Sequence, residues 1–394
     1  MGAATYLITV SGPDRVGLAA QLFATLRDPA LGEIDITDIA QITIRGYLVL
    51  CVEVASRSAT PPETIAQALD ASGMSRDGIS VDVSVVAPEE YVNGKRLMLT
   101  VLAPEVTDAA LESVFSAMAT CGATCERIVH LANYPVDCYE MIVRGPNHQV
   151  LRETLTQAAR DAGLDVAVQR AGLHRRSKHL VVMDADSTLL KDEVIDLLAE
   201  VAGCAEEVSR ITAEAMAGGM DFSESLRRRV ALLKGLPVSV LDDVRRRVTL
   251  TPGARTLLRT LQRLGYVPAV VSGGFVEILA PLVAELGVNM LAANHLAVRD
   301  GFLTGEIEGE IVDRPGKASA LVRFAGEIGV PLQQTVAIGD GANDIDMLTV
   351  AGLGIAFNAK PIVRDHADAA LNVPYLDAVL YFLGISREEI EAEI

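Results

Sequence analysis

Three short, nearly unbroken apolar runs constrain this chain most: HLVVM at 179–183, PAVVS at 268–272 and TVAIG at 335–339. Long helical stretches separate them. Strands that are apolar on both faces need cover on both faces, so the pattern predicts a parallel sheet between layers of helices. In such sheets ligands bind beyond the carboxyl ends of the strands. Here those ends carry reactive groups. The first run stops at Asp184-Ala185-Asp186-Ser187-Thr188, the second at Ser272-Gly273-Gly274 and the third at Gly339-Asp340-Gly341-Ala342-Asn343-Asp344, with Lys317 ahead of the third strand. A helix-rich insertion at about 195–250 follows the first tip and is placed to cover it. A hairpin is predicted around Asp300-Gly301.

Two neighbouring carboxylates raise at least one pKa unless a cation neutralises them. Mg2+ suits such a place, since it is held by one or two carboxylates plus substrate phosphate and water. Asp184 and Asp340 are the predicted carboxylates. If the segment stays extended, Asp184 and Asp186 face the same way over one substrate. The set fits phosphoryl transfer through an aspartyl-phosphate that water then hydrolyses. A second acid protonates the departing alkoxide, and a lysine, a hydroxyl and an N–H stabilise the charge building on phosphorus. Asp186, Lys317, Ser272 and the Gly273 amide fill those roles. A lone D-x-D is commonplace; the ordered set is not. A calcium loop starting at Asp340 needs Gly at its sixth position and Glu at its twelfth, where this chain has Ile345 and Ala351.

The first half repeats itself. YLITV at 6–10 returns as LMLTV at 97–101, an offset of 91, and each copy continues as β-α-β-β-α-β, a ferredoxin-like pattern. The first copy opens with GPDRVGL, where Gly12 and Gly17 allow backbone N–H groups to approach a ligand at a helix start. The same glycines would equally shape a turn, and the second copy departs from the pattern with Asp108 in the place of Gly17. HRRSKH at 174–179 reads as a solvated linker. The expected domains are therefore 1–88, 95–172 and 179–394.

Net charge is −18 and the sequence pI about 4.8. Such a surface repels nucleic acid and anionic membranes. No apolar run approaches the roughly 18 residues of a membrane span, and MGAATYLITVSGPDR lacks the basic and apolar regions of a secretory leader. A soluble cytoplasmic protein is expected. Five cysteines, an odd number without a metal-binding pattern, are expected to be reduced.

DADST, VVSGG, Lys317 and GDGANDIDML together resemble the four motifs of the haloacid dehalogenase superfamily, over residues 180–394. Within it, Glu193 in LLKDEVIDLLAE and the stretch ITAEAMAGGMDFSESLRRRVALLKGLP most resemble the phosphoserine phosphatases. The duplicated N-terminal pattern resembles the ACT domain, a regulatory module that often binds amino acids. The resemblance implies an α/β fold: a Rossmann-like parallel sheet with a helical cap, preceded by two ferredoxin-like ACT domains. It implies Mg2+-dependent hydrolysis of O-phospho-L-serine, the last step of L-serine biosynthesis, regulated by an amino-acid effector in a homodimer. Asp184 would be the nucleophile and Asp186 the acid, then base. The metal would sit on Asp184, Asp340 and the Asp186 carbonyl, supported by Asp344. Ser272, Gly273 and Lys317 would grip phosphate, and Asn343 would help bind substrate. In the cap, Glu193 would meet the ammonium and Arg229 the carboxylate, beside the apolar lid residues Met216 and Phe222. Two alternatives stay open: another small phosphate monoester as substrate, or an amino-acid-sensing binding protein. The Glu193/Arg229 pair argues against sugar phosphates, which offer neither charge.

Overall fold

The computed structural model describes residues 4–86, 95–145, 147–172, 175, 177–216 and 219–392. The chain divides into two compact units, Met1–Tyr91 and Val92–Ile394.

In the first unit, β1 (Ala4–Pro13), β2 (Ile34–Ile44), β3 (Tyr47–Ser56) and β4 (Ser80–Val85) form an antiparallel sheet in the order β2-β3-β1-β4. Helices α1 (Leu18–Leu26) and α2 (Pro62–Ala71) supply the apolar cover. Alternation along β1 sends Tyr6, Ile8 and Val10 inward, where they meet Leu22 and Leu69. Strand β2 has no such cover, and Ile36, Ile39, Ile42 and Ile44 are exposed. Gly17 caps α1 at φ 89°, open to its surroundings, while Gly12 presses on the Gly78–Ile79 backbone, 2.7 Å from a Cβ it does not carry.

The second unit opens with the repeat. Strands β5 (Lys95–Ala103), β6 (Thr124–Asn133), β7 (Asp137–Gly145) and β8 (Asp165–Arg170), with α3 (Asp108–Thr120) and α4 (His148–Ala162), reproduce the order of the first copy as β6-β7-β5-β8. This sheet does not end at β8. Through Ala167 it bridges the antiparallel β15 (Ala369–Leu371), the edge of the predicted α/β sheet, so one eleven-stranded mixed sheet runs through the unit.

The α/β part carries β9 (Leu180–Met183) at its centre, flanked in parallel by β10 (Val267–Phe275) and β13 (Thr335–Gly339). Strand β11 (Met290–Arg299) and β14 (Gly354–Phe357) lie outside these. All four residues of β9 are fully buried, as a central parallel strand requires. That strand order decides the site: the tips of β9, β10 and β13 are neighbours. The insertion forms α5 (Val194–Ala202), α6 (Ala205–Met216), α7 (Phe222–Ala231) and α8 (Ser239–Arg247). The predicted hairpin joins β11 to β12 (Phe302–Glu308), turning at Asp300 and Gly301 with φ 51° and 82°. Gly305 of β12 lets it lie against α7, where a Cβ would fall 3.2 Å from the Ala231 carbonyl.

The join at 174–179 is not a solvated linker. Arg175 and Lys178 are 6 % and 5 % exposed, because the docked repeat closes over them; Arg175 pairs with Glu140 of β7. His174 and Arg176 lie outside the described residues.

Candidate active site

Strand β9 ends at Asp184, and the chain at once enters a tight turn, Ala185–Leu189. Asp184 closes that turn by accepting from the Ala185 N–H at 2.7 Å. Ser187 sits at φ 57°, a strained value for a non-glycine residue and typical of functional turns. Asp184 and Asp186 themselves keep extended dihedrals (φ −66°, ψ 157° and φ −66°, ψ 132°), and the chain reverses only after them. The turn gives the two acids different partners. Asp184 meets Lys317 Nζ at 2.8 Å. Asp186 accepts from the Val194 N–H at 2.9 Å and from the Ser272 hydroxyl at 3.1 Å.

Lys317, in the first turns of α9 (Arg314–Glu327), is fully buried and also meets Asp344 at 2.7 Å. Asp344 takes the Gly341 N–H at 3.0 Å, which fixes the loop after β13. Carboxylate oxygens of Asp184, Asp340 and Asp344 lie within 4.8 Å of one another, an acidic cluster able to hold a metal ion. Asn343 stands beside Gly341 in the same loop, where its Oδ1 leaves no room for a Cβ on that glycine. At the β10 tip, the Ser272 oxygen also accepts the Gly274 N–H at 2.8 Å.

The cap reaches this floor. Phe222, at the start of α7, packs so close to Gly273 that a Cβ there would lie 3.0 Å from the ring. Arg229 of the same helix is 9 % exposed, whereas Arg227 and Arg228 face solvent. Glu193, at the N-terminus of α5, accepts from the Ser187 hydroxyl at 3.0 Å. The side chain of Met216 lies outside the described residues.

Electrostatics follows from this crowding. Burial raises the Asp184 carboxyl, and the Asp344 charge adds to it, against the pull of Lys317. Burial and then Glu193 push Asp186 up to about 7. Asp340 rises to about 6 through burial and the charges of Asp344 and Glu193. Burial alone would lower Lys317, but Asp184 and Asp344 more than reverse that. Burial lowers the Arg229 guanidinium, which Glu193, Asp196 and Asp186 counter. Among the described residues, six acids (Asp184, Asp186, Glu193, Asp196, Asp340, Asp344) thus face two cations (Lys317, Arg229), a balance that favours a further cation.

Three participants were not singled out from the sequence, although Thr188 lies in DADST and Asp196 in LLKDEVIDLLAE. Thr188, fully buried, donates to Asp340 at 3.3 Å. Asp196 sets its charge against Arg229 from the first turn of α5. Asn294 is fully buried in β11; its Nδ2 donates to the Gly273 carbonyl at 2.8 Å and its Oδ1 accepts the Val312 N–H at 2.8 Å. It thereby ties the Ser272–Gly274 loop to the segment leading into Lys317. A polar residue after the apolar start of that strand, MLAAN, was the available signal.

Residues 181–349 match the haloacid dehalogenase-like hydrolase family, and residues 4–84 and 97–169 each match an ACT domain. A phosphoserine phosphatase of Streptomyces coelicolor is 49 % identical over 395 residues, covering 98 % of this chain and 94 % of the relative. Phosphoserine phosphatase SerB2 of Mycobacterium tuberculosis is 46 % identical over 391 residues, with 98 % and 94 % covered. Among solved structures, a phospho-aspartyl intermediate analogue of phosphoserine phosphatase superposes with a TM-score of 0.50 at 45 % identity, covering 52 % of this chain and 98 % of that one. On sequence and strand order alike, the chain belongs to the phosphoserine phosphatase family of haloacid dehalogenase-like hydrolases and carries two ACT domains ahead of its α/β fold.

Proposed function

We propose that the chain hydrolyses O-phospho-L-serine to L-serine and phosphate. The observation that carries this reading is the pairing of a strand-tip Asp184–Lys317–Asp344 cluster with a buried arginine and a glutamate on the cap above it. Asp184 attacks phosphorus, the phosphorus–oxygen bond to serine breaks, and Asp186, protonated near neutral pH, gives its proton to the leaving oxygen. Asp186, now a carboxylate, takes a proton from water, which attacks the aspartyl-phosphate and frees Asp184 and phosphate. Ser272, the Gly273 N–H and Lys317 hold the phosphate oxygens. Glu193 and Arg229 fit the ammonium and carboxylate of serine, Asn343 lies at the rim to bind it, and Phe222 excludes water. Asp184, Asp340 and the Asp186 carbonyl, with Asp344 behind them, would hold Mg2+, which supplies positive charge where phosphate meets carboxylates.

A substrate panel tests the reading. Phosphoserine should be preferred over sugar phosphates, and Arg229→Ala should lower kcat/KM for phosphoserine by about 100-fold, roughly 2.7 kcal/mol, while changing an aryl phosphate less than about threefold. Equal losses on both would remove the carboxylate role. Asn294→Asp keeps the acceptor for Val312 but loses the donor to Gly273. It should lower kcat/KM about tenfold at neutral pH and recover at acid pH, where the protonated carboxyl donates again. A flat deficit across pH would leave Asn294 a packing residue only.

The glycine loop at Gly12 and Gly17 suits an amino-acid effector in the first ACT fold, and the uncovered β2 suits a second copy of the chain in a homodimer. Five free cysteines fit a reducing cytoplasm. Removing residues 1–91 should abolish the regulatory part of serine inhibition and leave competition at the active site. A longer truncation would cut the shared sheet at β8 and report on folding instead.

A further inference from the structure

In a chain of net charge −18, one cavity collects cations. It holds about 300 Å³ between the repeat and the α/β fold, and Arg152, Arg170, Arg175 and Lys178 line it with a single acid, Asp368. Its far wall is the backbone that opens β13 and β14, at Gln333 and Gly352. Two of these charges are matched. Arg152 pairs with Asp368 at 2.9 Å and donates to the Ala367 carbonyl at 2.8 Å; Arg175 pairs with Glu140. The other two are not: among the described residues neither Arg170 nor Lys178 forms an ion pair.

Lys178 is the stronger anomaly. Only 5 % exposed, it donates to the Gln333 carbonyl at 2.6 Å, and the Thr335 carbonyl lies at 3.5 Å. Carbonyls satisfy its N–H groups but cancel no charge, and a buried uncompensated ammonium is costly. Burial accordingly pulls Lys178 down to about 8, with only Asp368 opposing. A bound anion would remove that cost. Arg170 is exposed and lines the same cavity.

We propose that this cavity is an anion site, separate from the strand-tip acids, that takes a small dianion bearing a phosphate group. Two unmatched cations balance two negative charges. A tetrahedral phosphate offers oxygens to the Arg170 fork and the Lys178 ammonium together, which a planar carboxylate does less well. The volume lies at the small end of ligand cavities, which fits a phosphate or a short phosphate ester rather than a nucleotide. Such a ligand would bridge the second ACT fold to the roots of the two strands beside the catalytic tips.

Equilibrium dialysis on the full-length chain with chelator present tests this, using radiolabelled inorganic phosphate and, in a second arm, glycerol phosphate. The expected result is one saturable site that survives Ser272→Ala and weakens at least tenfold in Arg170→Glu and Lys178→Gln. Should Lys178→Gln fail to fold, Arg170→Glu on the exposed position decides alone. Tighter binding of the ester than of free phosphate would identify a phosphorylated metabolite as ligand; the reverse would identify the ion. No saturable site, loss of binding in Ser272→Ala, indifference to Arg170→Glu, or tighter binding of malonate than of phosphate would each overturn the proposal. None of these outcomes depends on turnover, so the test stands apart from the assignment of substrate.

Discussion

Lys317→Met is expected to destabilise the protein by about 3–5 kcal/mol at neutral pH and to lower kcat by at least about 10³-fold. Lys317 is fully buried and its ammonium touches two carboxylates, at 2.8 and 2.7 Å. A methionine of similar length fills the space but leaves Asp184 and Asp344 buried without their counter-charge. The sign of the pH dependence follows. The deficit depends on those acids being ionised, and the Asp184 carboxyl already lies above its ordinary range. As pH falls, protonation of Asp184 removes part of the uncompensated charge, and the stability gap between wild type and variant should narrow. Urea unfolding of both proteins across pH, with chelator present so that no metal substitutes for the ammonium, measures this. A gap that stays constant or widens towards acid pH would show that Lys317 contributes packing rather than charge.

Asp184→Asn is expected to lower kcat for phosphoserine by at least about 10⁴-fold while changing stability by only about 1 kcal/mol. The amide keeps the shape and the acceptor for the Ala185 N–H. It loses a favourable contact with Lys317 but also the repulsion from Asp344 and Asp186, and these oppose each other. Substrate should still bind, because Ser272, Glu193 and Arg229 remain. Near-wild-type turnover, or unfolding of the variant, would be incompatible with a nucleophile held by an otherwise independent fold.

Much of this is legible in the sequence. The parallel sheet announced itself because a strand buried on both faces must be apolar throughout, and the reactive residues stood out because they broke three such runs. The duplication was visible because both copies need the same alternation to cover the same face. What stayed hidden depended on distant contacts. HRRSKH read as solvated because its charges are ordinary; only the bridge from β8 to β15 buries Lys178 and Arg175. The sequence does not reveal that the chain turns at Ser187, φ 57°, just after the two acids, which is what hands Asp184 and Asp186 different partners. Asn294 carries no motif, and its function as a tie exists only once Gly273 and Val312 arrive on either side.

The central claim is that Asp184 carries the phosphoryl group during turnover. Acid quenching within milliseconds of mixing enzyme with ³²P-labelled phosphoserine, followed by peptide mapping, addresses it directly. The label is expected on the peptide containing Asp184, sensitive to hydroxylamine as an acyl phosphate is. Label on a serine, histidine or any other aspartate, or product formation in a first turnover with no labelled protein, would contradict the account.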